Sequence, residues 1–483
     1  MKKSLLILAL LLAHWSANAQ SEADVQRYST PFHHGTARFN ALGGAMGALG
    51  GDVSAIHLNP ASIGVFRYGD VSFTPTIEMN SLETRTPSFI EEEQVSKFVV
   101  NSAGLVLANE TNHPDWKQIN FGISYNRLST FNDELFYQAD VDYNQSLQSD
   151  FINEANGFLP SELSDFSAGL AWDGFVINNP DSANPTNYIP AVGSGRINQI
   201  QTISREGRHG ETSLSFGTNY RDKAYIGIAL GIQAIRYEQE TETREAPISG
   251  QSDLVNYSYL EELVIEGVGV NFSIGGIVKV GKIFRVGGSI KTPTVLNLND
   301  NFRYQLNSRF VNPSETYESQ SDVGVFDYKV RTPWKFMGSV AAVLGKKGLI
   351  TTQYEFANIS KGELRNAGGA NEDFSFSNQI LIQDYTAMHT ARAGLEYRID
   401  PSWYARLGFA YFSNPAEANE FTGADLNRYQ YSGGFGYRKA AWHIDLTYQH
   451  TKFEELYIAN NSGPLTFLTS EFGSISITAG FRL

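Results

Sequence analysis

Apolar residues alternate with polar or small ones through the stretch "GVGVNFSIGGIVKVGKIFRVGGSIK", Gly267 to Lys291. An extended strand places every second side chain on one face, so a period of two predicts strand rather than helix. The same face stays apolar on both sides of Gly281-Lys282-Ile283, which predicts a hairpin with a three-residue turn. The stretch also contains most of a phosphate-binding loop, G-x-x-x-x-G-K-[ST], but Ile283 replaces the required hydroxyl and no helical pattern follows. The pattern therefore favours the hairpin.

Short and long connections alternate along the rest of the chain. Six short turns carry turn-forming residues, near residues 109–115, 221–224, 281–283, 345–348, 400–402 and 438–441. Long polar segments lie between them, at about 80–96, 144–205, 241–260, 307–322, 359–386, 413–426 and 456–470. Two strands per short turn and one more at each end predict about fourteen strands. Short turns at one rim and long loops at the other are typical of transmembrane β-barrels of bacterial outer membranes.

The two faces of these strands differ in charge. On seven strands between residues 226 and 448, the 36 positions of the apolar parity contain no Asp, Glu, Lys or Arg, whereas the interleaved positions contain eight. Arg or Lys facing the bilayer midplane costs about 2–4 kcal/mol. Trp116, Trp403 and Trp442 lie beside short turns and together suggest an aromatic belt, although each one alone is equally compatible with a packed core. We predict an all-β fold, a transmembrane antiparallel β-barrel with the apolar parity in lipid.

Both ends of the chain are those of an exported barrel. A basic start, an apolar run from Leu5 to Leu12 and small residues before Gln20 predict a cleaved secretory signal over residues 1–19. The last strand keeps Phe481 and Leu483 on the apolar parity, and its pairing with the first strand would close the barrel. Leu483 stands where outer-membrane barrels usually end in an aromatic residue. Outer-membrane lipid and the barrel-assembly machinery are the expected partners.

Composition excludes several function classes. The chain contains no cysteine, so it has no disulfide, thiolate metal site or thiol nucleophile. Without the two lysines of the signal, 35 basic residues remain against 51 acidic ones, and the formal charge of −16 argues against nucleic-acid binding. No apolar run after the signal approaches the roughly 18 residues of a spanning helix. No pattern for a metal or a cofactor is present.

Residues 20–68 do not alternate. They contain "FNALGGAMGALGGDVSAIHLNPASIG", Phe39 to Gly64, in which glycine pairs permit close approach of the backbone to surrounding walls. Asp52 can cap a short helix that Asn59-Pro60 then ends. A periplasmic linker is one interpretation, and a plug inside the barrel is the other, since fourteen strands leave an interior wide enough to require one. We predict a hatch over residues 20–68 and a barrel over residues 69–483.

The segment from about Gly35 to Gly64, directly before the first long strand, resembles the N-terminal hatch of the outer-membrane long-chain fatty-acid transporter (FadL-like) family. A weaker local match is "RTPWKF", Arg331 to Phe336. The resemblance covers the architecture of the whole mature chain. It implies a monomeric barrel whose hatch closes the lumen and rearranges to admit a hydrophobic ligand captured among the outer loops. The candidate hatch and gating residues are Gly43, Gly44, Asp52, Asn59, Pro60 and Ala61.

A fatty acid needs an apolar groove and a cation for its carboxylate. The candidate apolar residues all belong to the 144–205 segment and are Phe151, Phe158, Leu159, Trp172 and Phe175. The candidate cations all lie on the lumen parity and are Arg285, Lys291, Arg392 and Arg406. Packing of the loop on itself and pairing with wall carboxylates are the alternative roles for these two sets.

The predicted function is passive, hatch-gated passage of hydrophobic small molecules, most likely long-chain fatty acids or similar compounds, across the outer membrane. A barrel that binds a surface partner through its loops and a general porin are alternatives. An outer-membrane hydrolase is less favoured: His443 and Asp445 share the lumen parity, but the chain contains no G-x-S-x-G. We predict that the protein is not an enzyme.

Overall fold

A computed structural model describes residues 22–30, 34–86, 89–181, 183–193, 195–249, 252–311, 314–368, 373–416 and 425–483. The predicted secretory signal, residues 1–19, lies outside these ranges and stays a prediction.

A closed antiparallel barrel of fourteen strands forms the wall, which confirms the predicted fold class. Some wall strands are interrupted, so the strand segments are more numerous: β1 (Asp70–Arg85), β2 (Ile90–Glu110), β3 (Trp116–Thr130), β4 (Asp133–Asp142), β5 (Ile177–Asn178), β6 (Ile189–Pro190), β7 (Arg196–Tyr220), β8 (Ala224–Pro247), β9 (Leu254–Val280), β10 (Phe284–Lys291), β11 (Val295–Phe310), β12 (Thr316–Gln320), β13 (Gly324–Arg331), β14 (Lys335–Val343), β15 (Gly348–Asn358), β16 (Glu363–Asn366), β17 (Ala387–Arg398), β18 (Trp403–Phe412), β19 (Arg428–Lys439), β20 (Trp442–Ile458) and β21 (Leu465–Arg482). The last strand pairs with the first, Phe481 opposite Val71, as predicted.

The hairpin predicted at Gly281-Lys282-Ile283 is confirmed. Val280 of β9 lies opposite Phe284 of β10. Gly281 adopts a left-handed φ of 66°, which glycine reaches without steric cost.

Two neighbouring wall strands bend at the same height. β10 and β11 both pair with β9, and β14 and β13 continue the wall beside them, so each pair of segments is one strand interrupted at a proline. Pro293 and Pro333 lack the N–H that a ladder requires. Thr294 and Thr332 bridge the interruption, since the amide of Thr294 donates to the Thr332 hydroxyl at 2.8 Å and the amide of Thr332 to the Thr294 carbonyl at 3.0 Å. The wall therefore stays closed at this bend.

The apolar parity faces outward, as predicted. Large apolar side chains on it are exposed, such as Ile226, Phe272, Phe336, Leu407 and Ile444. The tryptophans beside the short turns are also exposed, and their rings pack against cross-strand aromatic rings at 4.8–5.0 Å, as in the pair Trp442 and Phe481. Among the described residues, no helix is both long and apolar enough to cross a membrane.

Several predicted loops are wrong in extent. β1 and β2 cover most of 80–96, β7 begins at Arg196, inside the predicted 144–205 loop, and β8 and β9 cover most of 241–260. The paired strands continue beyond the apolar band, where both faces meet water and the apolar alternation is lost while the ladder persists. Polarity marked the edge of the hydrocarbon, and it did not mark the end of each strand.

Helices are short and belong to the segment before β1 and to the outer loops. They are α1 (Glu22–Ser29), α2 (Ala37–Ala41), α3 (Ala55–Leu58), α4 (Leu147–Ala155), α5 (Ala168–Asp173) and α6 (Ser375–Asp384), with 3-10 turns at Pro60–Val65, Tyr143–Gln145, Pro160–Glu162 and Ile359–Lys361. We call the described residues from 22 to 68 the hatch. Its side chains are mostly buried against inward-facing wall residues.

Candidate functional site

The hatch is hydrogen-bonded to strands around much of the wall. The bonds that join it to separate strands are Ser54 to Ser102 (3.0 Å), Asn120 to the Ile63 carbonyl (2.7 Å), Arg285 to the Leu49 carbonyl (2.8 Å), Thr351 to the Ala45 carbonyl (2.8 Å), Gly47 N to Gln353 (3.0 Å) and Ala37 N to Thr478 (2.6 Å). Buried polar groups need such partners. The hatch therefore closes the lumen by specific contacts and is not a loose linker.

Wall glycines let the hatch backbone touch the strands. A Cβ at any of these glycines would lie within 3.0 Å of hatch atoms, and they include Gly227 against Pro60, Gly275 against Asn59, Gly287 against Gly47 and Gly408 against Gly43. The absence of a side chain at these positions leaves room for the hatch main chain. The wall is thus shaped to this hatch, residue by residue.

The predicted gating residues lie where the hatch meets the wall. The Asn59 side chain donates to the carbonyls of Gly47 (2.7 Å) and Gly276 (3.2 Å), and Pro60 begins the 3-10 turn. Ala61 is buried against Tyr225 and Ile277. The helix that precedes Asn59 ends at Leu58, where the sequence predicted its end.

The predicted role of Asp52 as a helix cap is wrong. Ser54 is the N-cap residue of α3, and the Asp52 carboxylate accepts hydrogen bonds from the Thr36 hydroxyl (2.8 Å) and the Ser54 amide (2.9 Å). Burial raises the pKa of Asp52, and the Arg38 guanidinium opposes that rise. Gly43 and Gly44 adopt left-handed φ values of 60° and 76° in the turn after α2.

A buried ion pair connects the hatch to the wall. His57 Nδ1 lies 2.7 Å from a Glu211 carboxylate oxygen, and Lys291 Nζ lies 2.9 Å from the same oxygen. Gln233 and Asn271 donate to the second carboxylate oxygen at 2.8 and 2.9 Å. Burial, and next the Lys291 ammonium, lower the pKa of His57, so the imidazole is neutral and its Nδ1–H donates to Glu211.

The wall parts along one line, which we call the seam. The pairing of β2 with β3 ends at Ser102 and Asn126. Beyond that point, within the described residues, β2 pairs with β1 alone and β4 pairs with β7 alone. The seam is therefore a side opening in the ladder between residues 90–101 of β2 and β4.

Local irregularities in three strands produce the seam. Asn101 has no partner in the register of β1 and β2, where Thr74 and Pro75 lie opposite Ser102 and Val100. Leu128 likewise has no partner in the register of β3 and β7. Such bulges bend a strand and end its pairing. Across the seam, the Thr86 hydroxyl donates to the Gln138 carbonyl at 3.0 Å.

Comparison with solved structures decides the fold family. A Pseudomonas aeruginosa FadL homologue matches with a TM-score of 0.58 and 13% identity, over 93% of this chain and 98% of that one. The chain has the FadL fold. The P. putida toluene transporter TodX matches with a TM-score of 0.51 and 11% identity over 92% and 97% of the two chains, and the CymD monoaromatic hydrocarbon channel with 0.51 and 13% over 94% and 98%. No family model matches the sequence, and no curated protein is similar to it.

The predicted lumen cations of this FadL-fold barrel all have protein partners. Arg285 donates to the hatch carbonyl of Leu49, and Lys291 pairs with Glu211. Arg392 lies 3.7 Å from Glu355. Arg406 lies 2.8 Å from Glu396 and 2.6 Å from Asp445. In this closed state these cations hold the wall and the hatch together, and a role toward a ligand stays a prediction.

The predicted apolar loop residues separate into two groups. Phe151 of α4 is buried beside Tyr259, with ring centroids 5.3 Å apart, and Trp172 of α5 packs partly buried on the same cluster. Phe158, Leu159 and Phe175 are exposed. The first group builds the loop cap of the FadL fold, and the second is available to a ligand arriving from outside.

We expect Phe151→Ala to destabilise the cap and Phe158→Ala to leave it intact. Phe151 is 2% exposed and Phe158 is 53% exposed. Removal of a buried phenyl group costs about 3–5 kcal/mol, whereas surface substitutions stay within about 0.5 kcal/mol. Hydrogen exchange of α4 and α5 in the detergent-solubilised protein measures the difference. Equal protection in the two variants would contradict the division of the loop residues into two groups.

Two features of the site were not anticipated from the sequence. Glu211 lay in the predicted 144–205 loop's continuation and gave no motif, and the seam depends on single-residue register shifts. Pro75 in β1 and the polar pair Asn126 and Asn132 around the break are the local signals that could have indicated it.

Proposed function

We propose that this protein is an outer-membrane passive transporter for hydrophobic small molecules, with long-chain fatty acids or similar compounds as the leading candidates. The seam is the observation that carries the proposal. It joins the lumen above the hatch to the lipid side of the wall, at the one height where the described wall strands lose their pairing. A hydrophobic molecule gains by leaving toward hydrocarbon instead of water. A water-filled porin has no use for such an opening.

Transport in this proposal has three steps. Exposed apolar residues of the outer loops, Phe158, Leu159 and Phe175, take the ligand out of water. The ligand then enters the lumen above the hatch, displacing contacts there. Rearrangement of the hatch around Asn59-Pro60-Ala61 and exit through the seam complete the passage. The titles of the similar structures name toluene and monoaromatic hydrocarbons as well as FadL, which supports a hydrophobic cargo.

We expect Val99→Trp to slow uptake by narrowing the seam. Val99 is a buried residue of the part of β2 that has no partner on the side of β4. Overpacking costs about 1–3 kcal/mol, and this cost added to the barrier for passage slows it about tenfold or more. Uptake of radiolabelled oleate by cells that express equal amounts of each variant is the measurement.

Val340→Trp is the matched control, because Val340 is exposed on the lipid face of β14, where the ladder is intact. Its uptake should equal that of the unchanged protein. Undiminished uptake by Val99→Trp would remove the seam from the route. Equal passage of sugars and oleate in proteoliposomes would indicate a general porin, and no passage of either would favour a barrel that binds a partner through its loops.

A further inference from the structure

The first hatch helix, α1, occupies an apolar chamber in the lumen. Val25 and Tyr28 project from α1 and are almost completely buried. The wall residues around them belong to several strands and are Phe131, Ile235, Tyr237, Ile265, Leu296, Leu298, Tyr328 and Val330. A lining of this kind suits a hydrocarbon chain as well as it suits two helix side chains.

The attachment of α1 differs from that of the rest of the hatch. The segment from Gly35 to Phe66 is held by the backbone hydrogen bonds and glycine contacts described above. α1 is held by apolar packing, by the Tyr328 hydroxyl, which donates to Asp24 at 3.0 Å, and by the Arg27 guanidinium, 4.4 Å from the Tyr237 ring centre. Apolar packing is replaceable by any apolar group of similar size, so α1 is the part of the hatch that a hydrophobic ligand can replace.

Below α1 lies a small enclosed cavity of about 30 Å³ with an unmatched positive charge. Lys335 lines it and lies opposite Lys291 in the pairing of β10 with β14. Three cations surround this space, Lys291, Lys335 and Arg392, against the two carboxylates that pair with them, Glu211 with Lys291 and Glu355 with Arg392. Three against two leaves one positive charge in excess.

Lys335 carries that excess charge. Within the described part of the chain, its ammonium group forms neither a hydrogen bond nor an ion pair. The Tyr28 hydroxyl, also at this cavity, is buried and has no hydrogen-bond partner among the described residues. Unpaired buried polar groups call for an absent partner, and an ammonium beside a hydroxyl is suited to bind a carboxylate.

We infer that α1 occupies the site of the ligand's hydrocarbon tail and that Lys335 receives its carboxylate. The inference rests on the proposed function and narrows it to anionic amphiphiles with a long chain, in preference to neutral hydrocarbons. Leu128, the residue without a partner in β3, lines the same cavity, and Phe131 lines the chamber. A ligand in this position lies beside the seam, so displacement of α1 delivers it to the exit.

The test compares binding of oleate and oleyl alcohol, which share a tail and differ in the acid group, to the purified full chain in detergent. We expect Lys335→Gln to weaken oleate binding roughly tenfold, because a charge-assisted hydrogen bond is lost, and to leave oleyl alcohol binding unchanged. Lys282→Gln, in an exposed turn, is the control. The double variant Val25→Ala/Tyr28→Ala should bind both compounds more tightly, because α1 competes less well for the chamber.

The outcomes separate this inference from the proposed function. Equal loss of oleate and oleyl alcohol, or no loss of either, in Lys335→Gln would overturn the role of Lys335. Weaker binding in Val25→Ala/Tyr28→Ala would show that α1 is part of the binding surface and not its occupant. If the unchanged protein binds neither compound and takes up no oleate, the proposed function itself fails. Heat-modifiable electrophoretic mobility confirms that each variant retains a folded barrel, and Lys335→Arg supplies a charge-retaining replacement.

Discussion

Replacement of Gly287 by valine is expected to unseat the hatch and turn the closed barrel into a leaky pore. A Cβ at this position would lie within 3.0 Å of the Gly47 carbonyl oxygen and the Ala48 Cα, which are main-chain atoms and cannot rotate away. Overpacking of this kind costs about 1–3 kcal/mol. The wall strand keeps its ladders to β9 and β14, so the hatch is the part that moves. Conductance in planar bilayers and entry of a large hydrophilic dye into cells measure the leak.

Gly338→Val is the matched control for this substitution. Gly338 lies opposite Gly288 in the same part of the wall, but it faces lipid, and nothing lies within 4 Å of a Cβ built there. We expect the control to behave as the unchanged protein. A folded Gly287→Val barrel with no added conductance would show that close approach to this glycine does not hold the hatch in place.

Glu211→Gln is expected to have the second large effect, on stability and on closure together. The carboxylate is fully buried and compensates Lys291, so its loss leaves an ammonium group in the wall without its counter-charge. Removal of one partner of a buried ion pair costs about 3–5 kcal/mol. The bond from His57 to the wall weakens at the same time, because a neutral amide is a poorer acceptor than a carboxylate. Urea-induced unfolding in lipid vesicles gives the free energy of unfolding, and bilayer conductance reports the hatch.

Two further variants make this prediction specific. Glu238→Gln removes one carboxylate from an exposed ion pair with Arg236, and such pairs contribute about 0–1 kcal/mol. Glu211→Gln combined with Lys291→Met removes both charges, and it should recover most of the lost stability. If the double variant is as unstable as the single one, the unpaired ammonium is not the cause of the loss.

The sequence was sufficient for the parts of this protein that are set by solvent. The hairpin at Gly281, the outward apolar parity and the pairing of the last strand with the first all follow from which residues can face hydrocarbon. The error in the loop lengths has the same origin. Beyond the apolar band, at β7 from Arg196 for example, water on both faces removes the alternation that revealed the strands.

The candidate site was predicted less completely. The resemblance at Gly35 to Gly64 placed a plug in the lumen, and Asn59-Pro60-Ala61 do lie against the wall, but the wall glycines that receive them carry no signal in a glycine-rich strand. Lys291 was proposed as a carboxylate partner, whereas its neighbour Lys335, one strand away, is the lysine without a protein partner. Both lysines share the lumen parity, and the sequence does not reveal which one Glu211 neutralises.

The alternation of side chains by itself determined that this chain is a barrel with one face in lipid, because exposure to hydrocarbon acts on each residue separately and leaves its mark at every second position. Only the tertiary structure decided where the wall parts, which glycines touch the hatch and which charge stays unmatched. These depend on register, and a shift of one residue at Asn101 or Leu128 changes which groups meet across the lumen without changing the pattern of apolar and polar letters.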